Sequence, residues 1–392
     1  MTRDEVPVGR RVAQWRIRRR MTQQMLADRL GKSKSWVDKV ERGVRALDRF
    51  SVIEELARVL RVDLAALLGR EVQPPVSGGD GVDGIRAALA RYDVSIESST
   101  DDLGRRVDHA RSAYRHARYS QLVRLIPGLL DTTRSAHAAG RSQHATGLLV
   151  RVYRITSSVL VKLGEPDVAW LAADRAVAAA AGDPRWTAVA VVPLGQALRV
   201  AGRARLAMTA TTAVAERITP GQGRERTPVD LALGGTLWVE AALAAAAGGD
   251  ARRAAEWLDL AAELADQVVR GAPGHGGGFG PAHVRAARVA AAVELGDGAE
   301  AVTRHEVAVR ADGWLRLSPE HRAAYLVDAA RAYLQVGDLL RAGRALTDAD
   351  RIAPEEVRMR PLTRTVIAEL ARDGPASAGV ARLTAAVGLS HP

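Results

Sequence analysis

MTQQMLADRLGKSKSWVDKVERG, residues Met21 to Gly43, decides how the first part of this chain folds. It reads as helix, tight turn, helix. Leu26, Ala27, Leu30, Val37 and Val40 fall where two crossing helices need small or apolar contacts. Gly31 lies between them, at a turn sharp enough to favour a residue that tolerates positive φ. Ser33 is placed to cap the second helix through its hydroxyl. Lys34, Ser35, Trp36, Lys39 and Arg42 occupy the outward positions, so the exposed face of that helix is cationic. A two-helix unit with a basic second helix has the geometry that seats a recognition helix in the DNA major groove.

The flanks complete a small domain. Val8 to Arg20 reads as a first helix with Val12, Trp15 and Ile17 inward. Leu47 to Leu60 reads as a fourth, with Phe50, Val52, Ile53, Leu56 and Leu60 apolar, and Val62 to Leu68 as a short fifth ending before Gly69. Over about residues 8 to 69 the chain resembles the Cro/C1-type helix-turn-helix family, also called the XRE family. The match rests on Gln23, on LA at Leu26–Ala27, on LG at Leu30–Gly31, on WVDKVERG from Trp36 to Gly43, and on LARVLRVDLAALL from Leu56 to Leu68.

That resemblance implies roles. Gln23 is expected to bond a phosphate beside the start of the second helix, and Lys34, Ser35 and Lys39 to face base edges, where Lys donates to guanine O6 and N7. Arg42 and Arg45 are expected on phosphates, positioning without specifying. Lys32 and Ser33 in the turn complete the DNA-facing set. Trp36 departs from the usual small or polar residue; it packs either on a thymine methyl or sugar wall or on the N-terminal helix. Asp38 and Glu41 read as solvent-facing or as partners in ion pairs within the domain. Arg10, Arg11, Arg16, Arg18, Arg19 and Arg20 form a basic run that reads mainly as a solvated face.

Charge agrees. Residues 1–70 hold 17 Lys/Arg and 9 Asp/Glu, a balance of +8 within a chain total of +11. Concentrating the field on one small domain is the footprint of a nucleic-acid partner. Three of the four lysines, Lys32, Lys34 and Lys39, lie in the turn and second helix; the fourth is Lys162.

At 392 residues the chain should hold more than one domain. It has no cysteine, which excludes disulfides, zinc fingers and thiol catalysis. MTRDEVPVGRR lacks the apolar centre of a signal peptide, and no uninterrupted apolar run nears the ~20 residues that span a bilayer. A cytoplasmic, nucleoid-associated protein without a membrane role is expected. The richness in Ala, Arg and Gly and the absence of Asn fit a GC-rich bacterial genome.

Residues 71–84, EVQPPVSGGDGVDG, read as a flexible linker. From 85 to 392 the pattern is helical throughout. Around Gly337, the order Ala329–Ala330, Tyr333, Gly337–Asp338, Ala342, Leu346, Ala349 and Pro354 resembles the tetratricopeptide repeat. Weaker copies centre on Gly164, Gly202, Gly249 and Gly296, so the anchor glycines are 38, 47, 47 and 41 residues apart. The family repeat is about 34 residues, which calls for longer helices or for insertions at 219–228 and 271–281. The expected fold is therefore all-α: a five-helix Cro/C1-type domain (1–70), a linker (71–84) and an α-solenoid of tetratricopeptide-like helix pairs (85–392).

Nothing reads as an enzyme. The Gly-rich 271–281 stretch lacks the Lys-Ser/Thr pair of a phosphate-binding loop. His109 and His116, like His137 and His144, are seven apart, too far along a helix for two direct ligands to one metal. No cofactor or metal is expected. A helical-repeat region presents a concave binding surface, so the whole resembles, in architecture, the quorum-sensing peptide receptors of Gram-positive bacteria. Those receptors grip a peptide backbone with asparagines, which this chain lacks. Arg111, Tyr114, Arg115, Arg118 and Tyr119 form a basic, aromatic stretch suited to an acidic group, or else an ordinary helix face with buried tyrosines. The expected partners are double-stranded DNA, a second copy in a homodimer, and a peptide, protein or small-molecule effector. The alternative is a protein-interaction scaffold that uses its DNA-binding domain as a tether.

Overall fold

The computed structural model describes residues 8–18, 21–44, 52, 55–56, 59–60, 78–92, 102–140, 142–219, 226–271, 278–373 and 378–389. Chain contacts divide the protein into two units, Met1–Ser77 and Gly78–Pro392. All regular secondary structure among the described residues is helical.

The first unit contains α1 (Val8–Arg18), α2 (Gln23–Leu30) and α3 (Lys34–Glu41). Thr22 caps α2, its hydroxyl accepting from the Met25 N–H, and Ser33 caps α3 by accepting from the Trp36 N–H at 3.1 Å. Between them Gly31 takes φ +61°, and the Lys32 N–H returns to the Ala27 carbonyl at 2.9 Å. The turn is thus fixed by one left-handed residue and one backbone bond. Val12, Met21, Leu26, Ala27, Leu30 and Val37 form the core with Leu56 and Leu60 from the fourth helical segment. α1 lies directly on α3, where a Cβ at Gly9 would sit 2.0 Å from the Val40 carbonyl oxygen. Ile17 is a correction: it is 63% exposed. Val12 and Arg16 set the inward stripe of α1, and residue 17 is turned about 100° away from it. Residues 19–20 and the fifth helix expected at Val62–Leu68 lie outside the described residues.

The second unit opens with α4 (Gly78–Ala90). It continues as helix pairs: α5 (Leu103–Arg115) with α6 (Tyr119–Gly140), α7 (Gln143–Lys162) with α8 (Pro166–Ala179), and α9 (Pro184–Val200) with α10 (Ala204–Ile218). Then come α11 (Pro228–Ala247) with α12 (Ala251–Gly271), α13 (Pro281–Glu294) with α14 (Gly298–Ala308), and α15 (Pro319–Gln335) with α16 (Leu339–Ile352). Three more helices follow: α17 (Pro354–Arg358), α18 (Pro361–Asp373) and α19 (Ala378–Ala386).

Each expected anchor glycine ends the first helix of a pair. Gly164, Gly202, Gly249, Gly296 and Gly337 take φ between +74° and +80°. The next residue returns its N–H to the carbonyl five positions back, as in Arg203 to Leu198 at 2.8 Å and Asp338 to Tyr333 at 2.9 Å. Where that next residue is Asp, its carboxylate caps the following helix: Asp250 accepts from Arg253, Asp297 from Glu300 and Asp338 from Arg341. A Gly-Asp step therefore both stops one helix and starts the next.

Part of the expected linker is helix. α4 covers residues 78–84, and Val82, Ile85, Ala88 and Leu89 are buried. Its glycines lower its own propensity, but the apolar residues pack on α6 and its last carbonyls are taken up from outside. Arg134 donates to the Ala88 carbonyl at 2.7 Å and to the Arg91 carbonyl at 2.9 Å, and Arg175 donates to Leu89.

The end of the array returns to its beginning. α15 touches α5, and α17 touches α6. The Tyr119 hydroxyl donates to Glu356, and the Ser120 N–H donates to Glu355 at 2.7 Å. Lys162 at the end of α7 reaches Glu320 at 2.6 Å and Glu356 at 2.8 Å, and Arg360 adds a bond to Glu356 at 3.0 Å. α11 is, among the described residues, the one helix long and apolar enough to cross a membrane; 67% of its apolar window is buried within the array, as befits a core helix.

Candidate nucleic-acid interface

α3 is held by its last residue. Glu41 is buried and accepts from Arg16 of α1 through both carboxylate oxygens, at 2.6 and 2.9 Å. It also accepts from the Gln23 amide of α2 at 2.9 Å. Arg16 donates further to the Met21 carbonyl at 2.8 Å. The hydrogen bonding of Arg16 to Glu41 holds its guanidinium above its ordinary pKa, against the opposing effect of burial. A buried carboxylate bonded from two other helices fixes the direction in which α3 points. Gln23 thus has a partner inside the domain, and Arg16 leaves the solvated basic run.

The opposite face of α3 is open. Lys34, Ser35 and Lys39 are exposed, as are Lys32 and Ser33 in the turn. Among the described residues Lys32, Lys34 and Lys39 have no carboxylate partner. Arg42 is exposed and pairs with Asp38 one turn back at 2.7 Å. Trp36 is half-buried and packs against the domain core, which favours the intradomain alternative for that ring. Arg45 lies outside the described residues. An eight-residue helix is about 12 Å long, matching the width of the major groove.

The basic, aromatic stretch in the second unit divides. Arg111, Arg115 and Arg118 are exposed, and Tyr114 is half-buried. Tyr119 is fully buried with its hydroxyl bonded to Glu356, so it is unavailable to a ligand. Its expected role in effector binding is replaced by one in joining the two ends of the array. His109 meets Gln121 at 2.9 Å and His116 meets the Ser112 carbonyl at 2.8 Å.

Sequence reasoning missed the stripe of α7 made by Gly147, Arg151, Arg154, Ser158 and Lys162, which recur at four- and three-residue steps. That periodicity was the available signal.

Residues 7–68 match the family described as a helix-turn-helix domain, and the N-terminal unit is such a domain. No curated protein matches the chain. Among solved structures it is similar to the crystal structure of Bacillus thuringiensis PlcR in complex with the peptide PapR7 and DNA. The TM-score is 0.37 and the identity 8%, over 77% of this chain and 94% of that one.

Proposed function

We propose that the protein is a sequence-specific DNA-binding transcription regulator of the cytoplasm, acting as a homodimer, with the helical array as its effector-sensing part. The observation that carries this reading is the exposed face of α3, where among the described residues Lys34 and Lys39 have no carboxylate partner while Glu41 at the helix end is anchored inward. Unpaired cations on a helix held in one orientation favour a polyanion over a protein partner. Lys34, Ser35 and Lys39 read base edges; Lys32, Ser33, Arg42 and Arg45 serve the phosphates. One small domain supplies little specificity, so two half-sites about one helical turn or a multiple apart are proposed.

Genome-wide immunoprecipitation with sequencing tests this, comparing wild type with Lys34→Ala/Lys39→Ala. Sharp peaks sharing an inverted repeat, lost in the variant, are expected. Peaks unchanged in the variant would remove α3 as the reading element.

A further inference from the structure

A cleft of about 380 Å³ opens between α5 and α6. Asp102, Arg105, Arg106 and His109, from the start of α5, line one wall, and Leu125 and Leu129 of α6 line the other. One wall is polar and the other apolar. The volume lies at the small end of the range for small-molecule sites.

The α5 wall carries donors without an acceptor. Arg106 and His109 are three residues apart and share a helix face. The Arg106 side chain is exposed and has no ion pair or hydrogen bond among the described residues. His109 is engaged at one ring nitrogen, where the Gln121 amide donates to Nε2 at 2.9 Å. An amide nitrogen only donates, so Nε2 accepts and the neutral ring carries its proton on Nδ1. That N–H has no partner among the described residues. Arg105 is already paired with Asp102. Two guanidiniums and one carboxylate leave this wall with a surplus of one positive charge.

The α6 wall offers apolar surface still in water. Leu129 is buried, whereas Leu125 is 38% exposed. An apolar group laid along Leu125 removes that surface from water.

We propose that this cleft binds a small monocarboxylate with a short apolar chain, its carboxylate on Arg106 and His109 and its chain along Leu125 and Leu129. A surplus of one positive charge suits a single negative charge, and an apolar wall gives no advantage to a bare inorganic anion. Charge-assisted donation from Arg106 supplies the stronger of the two bonds to the carboxylate. The inference names an effector class for the array and rests on the reading of the array as the effector-sensing part.

The test is equilibrium binding to the full chain, by calorimetry and leucine-methyl NMR, of hexanoate, acetate and inorganic phosphate at equal ionic strength. Hexanoate is expected to bind saturably and to move the methyl signals of Leu125 and Leu129. Acetate and phosphate should need about tenfold or more higher concentrations, lacking the chain that covers Leu125. Arg106→Gln should raise the half-saturating hexanoate concentration about tenfold or more, and Leu125→Ser should remove the advantage of hexanoate over acetate. Arg344→Gln, on an exposed position of α16, should retain the wild-type response. Three results overturn the site: phosphate binding as well as hexanoate, methyl signals of Leu125 and Leu129 that do not move, or unchanged hexanoate binding in Arg106→Gln. The DNA experiment separates the two readings. Specific peaks without hexanoate binding reject this site and leave the regulator, and hexanoate binding without peaks does the reverse.

Discussion

Ala117 takes φ +52° in the turn between α5 and α6, where five other pairs of the array use glycine. Its neighbours make the same backbone bonds, with the Arg118 N–H reaching the Ala113 carbonyl at 2.9 Å. A Cβ in the left-handed region costs about 1 kcal/mol. Ala117→Gly should therefore stabilise the protein by roughly 0.5–1 kcal/mol, measured by urea unfolding, despite the greater freedom it gives the unfolded chain. At the same scale, Lys39 and Arg42 should separate on DNA. Lys39→Ala should weaken binding to the operator at least tenfold more than to random sequence. Arg42→Ala should weaken both about equally and lower the salt slope by about 1. Equal loss on both DNAs for Lys39→Ala would remove it from the base-reading set. Gly31 and Ser33 were legible in the sequence because their physics is local, a turn and a cap. Of the two readings of Glu41, the ion pair within the domain holds, but the sequence does not name its partner, because Arg16 lies 25 residues away and only the crossing of α1 and α3 brings the two together.

Elements were legible where their pattern was repetitive. The anchor glycines locate the turns, since ending a helix in the left-handed conformation needs one residue type. Residues 78–84, the first half of α4, read as linker because four glycines mask the apolar spacing that Val82 shares with Ile85 and Leu89, which only packing on α6 turns into a stable helix. The irregular repeat length has two sources: α11 and α12 run to 20 and 21 residues, and residues 219–227 and 272–280 separate successive pairs. Two substitutions probe individual elements. Ser33→Ala should destabilise the first unit by about 1 kcal/mol through loss of the α3 cap, seen as a lower midpoint for that unit in hydrogen exchange. Gly235→Ala should cost roughly 1–3 kcal/mol, because the new methyl would lie 2.1 Å from the buried Phe279 ring. An unchanged unfolding midpoint for Gly235→Ala would mean that α11 and Phe279 are less tightly seated than their geometry implies.

Across the array, acid should act through histidine before carboxylates. Burial lowers His283 to about 3, with repulsion from His321 adding to it. Burial lowers His321 to about 4, with Lys162 adding to it. The rings stack at 4.6 Å, with Phe279 5.8 Å from His283 and Glu320 acting in the opposite direction on His283. Unfolded histidine titrates near 6.5. Below that pH the unfolded chain binds protons that the folded chain refuses, so stability is present above about 6.5 and is lost as pH falls towards 4. Tm should drop between pH 7 and pH 5, a window in which most carboxylates stay ionised. His283→Gln/His321→Gln should flatten the drop, leaving the share of His305, which burial also lowers. An unaltered slope in the double variant would exclude this pair as its source.

Lys162 has a consequence for how the array comes apart. A linear stack of repeats behaves as a one-dimensional chain: its terminal units have one neighbour each and fray first. Here Lys162, Tyr119 and Ser120 tie the early helices to Glu320, Glu355 and Glu356 of the late ones, so the fraying ends are occupied by each other. Lys162→Met would leave two buried carboxylates without their shared cation, at a cost of roughly 3–5 kcal/mol. Wild-type denaturation of the array should follow a single transition by circular dichroism and tryptophan fluorescence alike. In Lys162→Met the two probes should diverge, because the array has become a line again and can lose its ends one pair at a time.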